Sequence, residues 1–316
     1  MKIAFFGTWE FSKNILAWIL NDWSIEVWLV VSQPDKPVGR KKIITATPIK
    51  EYALKKNIEV LQPTKLKTNN ELFEKLSQYD FVVVVAYWRI VPNWVLEAPK
   101  YWCINIHWSI LPNYRWASPI QEAVKNWDKE TWLTVMYMSE WMDEWDILAI
   151  RKVNIDKLDK TIDIFNKFEK IGPKLLIDTL KQIINWTIKW QKQDDSKATY
   201  CSKISKEDWE VNLNKDNWVD IYNKFKAYHP WPWIYSYYND KKINFEEIEL
   251  IENEAILSPL GGKLDRGNLI KNWKLVWIVA SDKKIIILKQ VKLEWKKSMD
   301  ILSFINWNKD FLDYKF

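Results

Sequence analysis

Apolar residues along this chain come in short runs, at 2–6, 25–32, 58–61, 81–86, 103–107, 133–138 and 147–153. Runs of this length between polar segments predict strands. Amphipathic stretches at 11–20 and 70–76 lie between some of them and predict helices. Strands alternating with helices imply an α/β fold with a doubly wound, mainly parallel sheet. From residue 160 to about 184, Ile164, Phe168, Ile171, Leu175, Leu180 and Ile183 recur at steps of three to five. That spacing predicts a long helix closing the domain, disturbed near Gly172-Pro173 because proline lacks the N–H that the helix ladder needs.

Beyond it the pattern changes. Residues 191–199, Q-K-Q-D-D-S-K-A-T, are polar and aperiodic and read as a linker. A helix is expected over 219–228, then strands at 234–238, 243–250, 274–280 and 285–291, the pattern of a small barrel or sandwich. The division expected is therefore a catalytic domain at 1–189, a linker at 190–206 and a β-rich domain at 207–316.

Composition narrows the classes. No apolar run approaches the ~18 residues of a membrane span, and the opening M-K-I-A-F-F-G-T reads as a first strand rather than a signal peptide. Cys103 and Cys201 are far apart, with no C-x-x-C, which suits a reducing cytoplasm and offers no zinc site. His107 and His229 are the only histidines, so imidazole chemistry must use one of them. The net charge of +6 is unevenly spread: residues 207–254 hold five Lys/Arg against eleven Asp/Glu, and residues 255–316 hold twelve against six. The basic tail, with Lys283, Lys284, Lys289, Lys292, Lys296 and Lys297, suits a polyanion; a solvated charged face is the plainer alternative.

Twenty-three tryptophans against six glycines is the strongest compositional anomaly. A chain of this length ordinarily holds roughly 22 Gly. Trp23, Trp94, Trp127, Trp186, Trp209, Trp218, Trp273 and Trp307 each follow Asn or Asp, whereas no Gly does. Asn-Gly and Asp-Gly are favoured turn dipeptides because glycine takes a positive φ without steric cost. An aromatic core or a base-stacking surface would explain the count differently, but these Trp sit in polar contexts such as K-N-W-D-K. We read many of them as standing at glycine positions, most simply through a UGA codon read as glycine in the source and translated as tryptophan.

Candidate chemistry concentrates at Asn105-Ile106-His107. Residues two apart on a strand share a face, so an amide and an imidazole converge, and carboxyl ends of parallel strands are where α/β sites form. A hydrogen-bonded structural histidine is the alternative for a lone His. The Pro-punctuated segment S-I-L-P-N-Y-R-W-A-S-P-I (109–120) follows directly, and W-M-D-E-W-D (141–146) adds carboxylates after another strand.

With these motifs assembled, the chain resembles the methionyl-tRNA formyltransferase family over essentially its whole length. N-I-H-W-S-I-L-P-N-Y-R-W-A-S-P-I is similar to the family's N-x-H-x-S-L-L-P-x-x-R-G-A-x-P-I, with Trp108 and Trp116 at small positions. F-F-G-T-W-E-F, Q-P-D-K-P-V-G-R-K-K, V-V-A-Y-W-R-I-V-P and H-P-W-P-W-I-Y resemble further family segments, with Trp88 and Trp233 at glycines and Trp231 genuine. Ile110 departs from the usual Leu, and Glu144 stands where Thr is common.

The resemblance implies a Rossmann-like formyltransferase domain and a C-terminal, OB-like, tRNA-binding β-barrel. It implies formyl transfer from 10-formyltetrahydrofolate to the α-amino group of initiator methionyl-tRNA, by a cytoplasmic monomer without metal or membrane. Asn105, His107 and Asp143 are then catalytic. Val84, Ala86, Tyr87, Ser109, Ile110, Leu111 and Pro112 line the folate site, and Arg40, Lys41 and Lys42 meet the tRNA. Trp88, Trp108, Trp116, Trp141 and Trp145 would crowd the folate pocket. Formyl transfer to an amino sugar nucleotide or a purine precursor shares this core and is the alternative enzyme; a non-catalytic RNA- or folate-binding protein is the alternative of another class.

Overall fold

The computed structural model describes residues 1–39, 41–66, 70–140, 143–250 and 265–316, so Arg40 and Trp141 lie outside the described residues. The chain divides into two compact units. The first comprises Met1–Pro119, Glu130–Asn154 and Phe165–Ser202, and the second Ile120–Lys129, Ile155–Ile164 and Lys203–Phe316.

The elements begin with β1 (Lys2–Gly7), α1 (Glu10–Ile19), β2 (Glu26–Val31), the short β3 (Lys36–Val38) and β4 (Ile43–Thr45), α2 (Pro48–Lys55) and β5 (Glu59–Leu61). They continue with α3 (Asn70–Leu76), β6 (Phe81–Val85), α4 (Asn93–Leu96), β7 (Cys103–His107), β8 (Arg115–Trp116), α5 (Pro119–Lys125), β9 (Glu130–Tyr137), β10 (Ile147–Asn154) and α6 (Thr161–Ile184). The sheet of the first unit runs β10-β9-β7-β6-β1-β2-β5. β5, β2, β1, β6 and β7 are parallel, while β9 and β10 extend the β7 edge antiparallel. Every residue of β6 is buried, as are Ile3 to Phe6 of β1. Such unbroken apolar runs are what a parallel sheet covered on both faces requires.

α6 is helical over its full span, with Pro173 inside it, so the expected disturbance at Gly172-Pro173 does not occur. Ile164, Phe168, Leu176 and Leu180 are fully buried along it, and that apolar contact outweighs one missing ladder bond. Gly172 serves a close approach: a Cβ there would lie 3.2 Å from Ile15 and 3.3 Å from Leu133.

After β11 (Tyr200–Cys201), the second unit contains α7 (Trp218–Ala227), β12 (Ile234–Tyr238), β13 (Lys241–Leu250), β14 (Leu269–Asn272), β15 (Leu275–Val279), β16 (Ile285–Leu293), β17 (Met299–Asp300) and α8 (Ile301–Trp307). Its antiparallel sheet has the order β12-β13-β16-β15-β14, with β17 beside β16. Asn217 caps α7 by accepting the Asp220 N–H at 2.9 Å, and Asp300 caps α8 through the Ser303 N–H at the same distance. Among the described residues no helix is long and apolar enough to cross a membrane.

The tryptophans separate into two populations. Sixteen described non-glycine residues have a left-handed φ, and eight of them are Trp: 88, 102, 116, 127, 186, 233, 273 and 295. Asn and Asp are the usual occupants of that region, where a Cβ costs about 1–2 kcal/mol. Several of these indoles are also strongly solvent-exposed, Trp273 being 92% accessible. Trp277 is the opposite case, 1% exposed inside β15. The Asn/Asp-Trp signal picks out three left-handed positions, Trp127, Trp186 and Trp273. Trp94, Trp209, Trp218 and Trp307 instead lie in helices: Asn93 and Asn217 stand at helix starts, which Asn favours as well as turns, while Trp209 and Trp307 end theirs.

Candidate active site

The site is built on the carboxyl end of β7. Asn105 pairs in register with Val84 of β6 and Met136 of β9, and His107 with Thr134 of β9. Asn105 is half-buried and its side chain makes no hydrogen bond to a described residue, so its amide is available to a substrate. His107 is 6% exposed and committed on both ring nitrogens. Nε2 lies 3.1 Å from the Tyr114 carbonyl oxygen, which only accepts, so this nitrogen carries its hydrogen. Nδ1 is thereby left facing Asp143 Oδ1 at 3.5 Å, slightly beyond a direct hydrogen bond.

Asp143 is fixed by other means. Its Oδ2 accepts the Trp116 backbone N–H at 3.0 Å. Its own φ is 61°, left-handed for a residue with a Cβ, so its loop needs support from outside. The backbone of that loop is held by Gln193, whose Nε2 donates to the carbonyls of Asp143 at 2.9 Å and Trp145 at 2.6 Å.

The residues expected around the folate fall on neighbouring strand ends. Val84 is buried in β6; Ala86, at φ 50°, begins the turn that follows; Tyr87 is fully buried. The buried Tyr87 hydroxyl has no hydrogen-bond partner, and burial pushes its pKa up to about 12. Ser109 is buried, donating to the Asn113 carbonyl at 2.6 Å and accepting the Thr134 hydroxyl at its own carbonyl at 2.6 Å. Ile110 is half-buried, Leu111 packs with Met136 and Ile147, and the Pro112 carbonyl accepts the Thr199 N–H.

Four of the five indoles expected to crowd the site lie among the described residues. Trp108 is buried with its ring 5.1 Å from Phe11, 5.4 Å from Phe165 and 6.2 Å from Trp88, and its Nε1 is unpartnered. Trp116 packs on Tyr200, and Trp145 packs edge-on to Trp102.

The basic residues are placed differently. Lys41 and Lys42 are exposed at the tip of the β3–β4 hairpin, and no hydrogen bond or ion pair joins them to Asn105, His107 or Asp143. The base of that hairpin is nonetheless tied to the segment that follows β6. Gln33 Nε2 donates to the Tyr87 carbonyl at 2.7 Å, and Gln62 donates to the Gln33 carbonyl and to Asp35. Lys50 reaches both Asp35 and Gln62. Hydrogen bonds from Gln62 and then Lys50 hold the Asp35 carboxyl below the usual range.

Sequence reasoning missed Arg115 and Gln193. Arg115 is 1% exposed, and its guanidinium bonds Gln193 and Asp195. It stood inside the motif N-Y-R-W, where a buried arginine was not evident. Residues 190–206, expected as a linker, are tied down at several points: Gln191 bridges to Ile147, Gln193 is buried, and β11 pairs with β8. A polar, aperiodic segment carries no mark of burial, so nothing short of the fold reveals these contacts. Among the described residues no group of His, Cys, Asp and Glu has the arrangement of a metal site.

Comparison with known proteins agrees with this geometry. The formyl transferase family profile matches residues 1–180, and the profile of the formyl transferase C-terminal domain matches residues 203–309. A methionyl-tRNA formyltransferase of Caldicellulosiruptor saccharolyticus is 40% identical over 314 residues, spanning 97% of this chain and 96% of that one. One from Sulfurimonas denitrificans is 39% identical over 308 residues, again spanning 97% and 96%. Among solved structures, an N-formyltransferase from Helicobacter canadensis, in complex with folinic acid and dTDP-3-aminofucose, superposes with a TM-score of 0.63. Its identity is 20% over 91% of this chain and 98% of that one, which supports the shared fold.

Proposed function

The chain belongs to the methionyl-tRNA formyltransferase family, and from that membership we propose that it transfers the formyl group of 10-formyltetrahydrofolate to the α-amino group of initiator methionyl-tRNA. The single observation that supports extending the reading to these residues is that Asp143 Oδ1 lies 3.5 Å from His107 Nδ1, with Asn105 two residues earlier on the same strand.

The chemistry follows from the groups present. The methionine amine attacks the formyl carbon, a C–N bond forms, and the carbonyl oxygen becomes an oxyanion. The Asn105 amide is a preorganised donor toward that oxygen. The amine must then lose a proton while the oxyanion collapses and the formyl C–N bond to the folate breaks; a water held jointly by His107 Nδ1 and Asp143 Oδ1, which stand 3.5 Å apart, would take that proton and pass one to the departing folate nitrogen. General acid-base help of this kind contributes typically about 10²- to 10⁴-fold. Ser109, Ile110, Leu111 and Pro112, with Val84, Ala86 and Tyr87, would bound the folate, and Arg40, Lys41 and Lys42 would contact the acceptor end of the tRNA. Trp88 and Trp108 occupy space beside these segments, so the folate fits with glycine at 88 and 108. We therefore take the encoded enzyme to carry glycine at 88, 108, 116, 141 and 145.

The test is an assay with a labelled formyl donor, run on this chain and on one with glycine at those five positions. The expected product is formylmethionyl-tRNA, with tRNA binding that weakens steeply as salt rises because bound phosphates release counterions. Arg40→Ala should lower formylation far more than folate binding. If an amino sugar nucleotide is formylated, while charged tRNA is neither bound nor formylated at low salt, the reading is wrong.

A further inference from the structure

We infer that Gln193 is a positioning residue, which together with Arg115 holds Asp143 against His107. The inference rests on the formyl-transfer reading for its kinetic consequence and on geometry alone for the contact itself. Gln193 is buried, and both ends of its amide are used. Nε2 donates to the carbonyls of Asp143 and Trp145, at 2.9 and 2.6 Å. Oε1 accepts from Arg115 Nε at 3.2 Å and Nη2 at 2.9 Å.

Arg115 is anchored in turn. Its Nη2 donates to Asp195 Oδ1 at 2.6 Å, Nη1 lies 3.4 Å from the Tyr200 hydroxyl, and Nη1 faces Glu144 Oε1 at 3.6 Å. Burial opposes the Arg115 charge, but the hydrogen bonds it donates to Asp195 and Tyr200 outweigh that and leave the guanidinium more basic than usual.

The arrangement grips the Asp143 loop at two levels. The N–H of Trp116, the residue after Arg115, fixes one carboxylate oxygen. The side chain of Arg115, acting through Gln193, fixes the peptide carbonyl of the same aspartate. With Oδ2 and the carbonyl both held, Oδ1 has one direction left, toward His107 Nδ1. A left-handed aspartate would relax without such support. The amide of Gln193 is also chemically specific: it must accept from a guanidinium and donate to two carbonyls, and neither a carboxylate nor an apolar side chain does both.

Two measurements on the full chain test this. The first needs no turnover: backbone amide exchange across residues 143–146 should accelerate in Gln193→Leu and Gln193→Glu relative to the parent. Unchanged exchange would overturn the inference, whatever the enzyme does. The second is steady-state formylation. Gln193→Leu should lower kcat roughly 10- to 100-fold, as misplacement of a reacting group by about 1 Å does, with KM for the tRNA little changed. Adding Gln193→Leu to Asp143→Asn should cost nothing further, because a positioning residue has no effect once the group it positions is disabled. Multiplicative losses would overturn the inference, as would an unchanged kcat accompanied by a lowered denaturation midpoint, since that pattern marks a purely structural role. The kinetic arm is run in the chain carrying glycine at 88, 108, 116, 141 and 145; failure of that chain to formylate any amine, with accelerated exchange in the variants, would sink the formyl-transfer reading and leave the contact standing.

Discussion

Strand β7 and the loop carrying Asp143 are the two halves of the proposed site, and they are built by opposite means. In β7 the backbone is paired on both sides, to β6 and β9, and Asn105 and His107 share a face by strand geometry alone. The Asp143 loop has no such frame. Its aspartate is left-handed and is held by the Trp116 N–H, by Gln193 and, at one remove, by Arg115. The strand half is framed by backbone pairing that does not depend on particular side chains; the loop half depends on the side chains of Gln193 and Arg115.

The difference explains what the sequence made legible. Short apolar runs gave β1, β2, β6 and β7 nearly to the residue, because a buried parallel strand leaves an unbroken apolar signal. Asn105 and His107 followed from their spacing on such a run. Gln193 stayed hidden because two of its partners are backbone carbonyls, which any sequence supplies, and its third, Arg115, lies 78 positions away. The glycine reading was legible in part: Trp127, Trp186 and Trp273 followed from the Asn-Trp signal and Trp88, Trp116 and Trp233 from the family resemblance, whereas Trp102 and Trp295 needed the backbone angles.

The largest expected effect lies in the strand half. His107→Ala should lower kcat/KM for charged tRNA by about 10²- to 10⁴-fold while binding persists, since the lost interaction belongs to the transition state. Steady-state rates and filter binding measure it; equal losses of binding and rate would remove His107 from the chemistry.

A second effect contrasts the two tryptophan populations. Trp277→Gly should destabilise the protein by at least ~3 kcal/mol, the usual scale for emptying a buried aromatic site. Trp186→Gly, Trp273→Gly and Trp295→Gly should each raise stability by about 1 kcal/mol, by relieving a left-handed Cβ on an exposed residue. Denaturant midpoints of the four variants decide it. Destabilisation at all four would show that these indoles contribute to the fold.

The smallest effect concerns the base of the β3–β4 hairpin. Asp35 is more acidic in the folded chain than in the unfolded one, so its contribution is fully present above the unfolded pKa of about 3.9 and is lost as pH falls through the folded value. The difference in denaturation midpoint between the parent and Asp35→Asn should therefore be constant near neutral pH and close on acidification. A difference that persists or widens in acid would contradict the assigned hydrogen bonds from Gln62 and Lys50.

The central claim is that β7 is complete as it stands, and that the loops around it complete the site when they carry glycine. The most direct measurement is the rate of methionyl-tRNA formylation by the chain as written and by one carrying glycine at 88, 108, 116, 141 and 145, each with and without His107→Ala. Glycine at 116 keeps the N–H that holds Asp143, so only the indole is lost. The account predicts that the glycine-bearing chain is faster by about 100-fold, the scale of restoring a misplaced reacting group, and that His107→Ala abolishes the gain. Equal rates in the two chains, or a gain that survives His107→Ala, would contradict it.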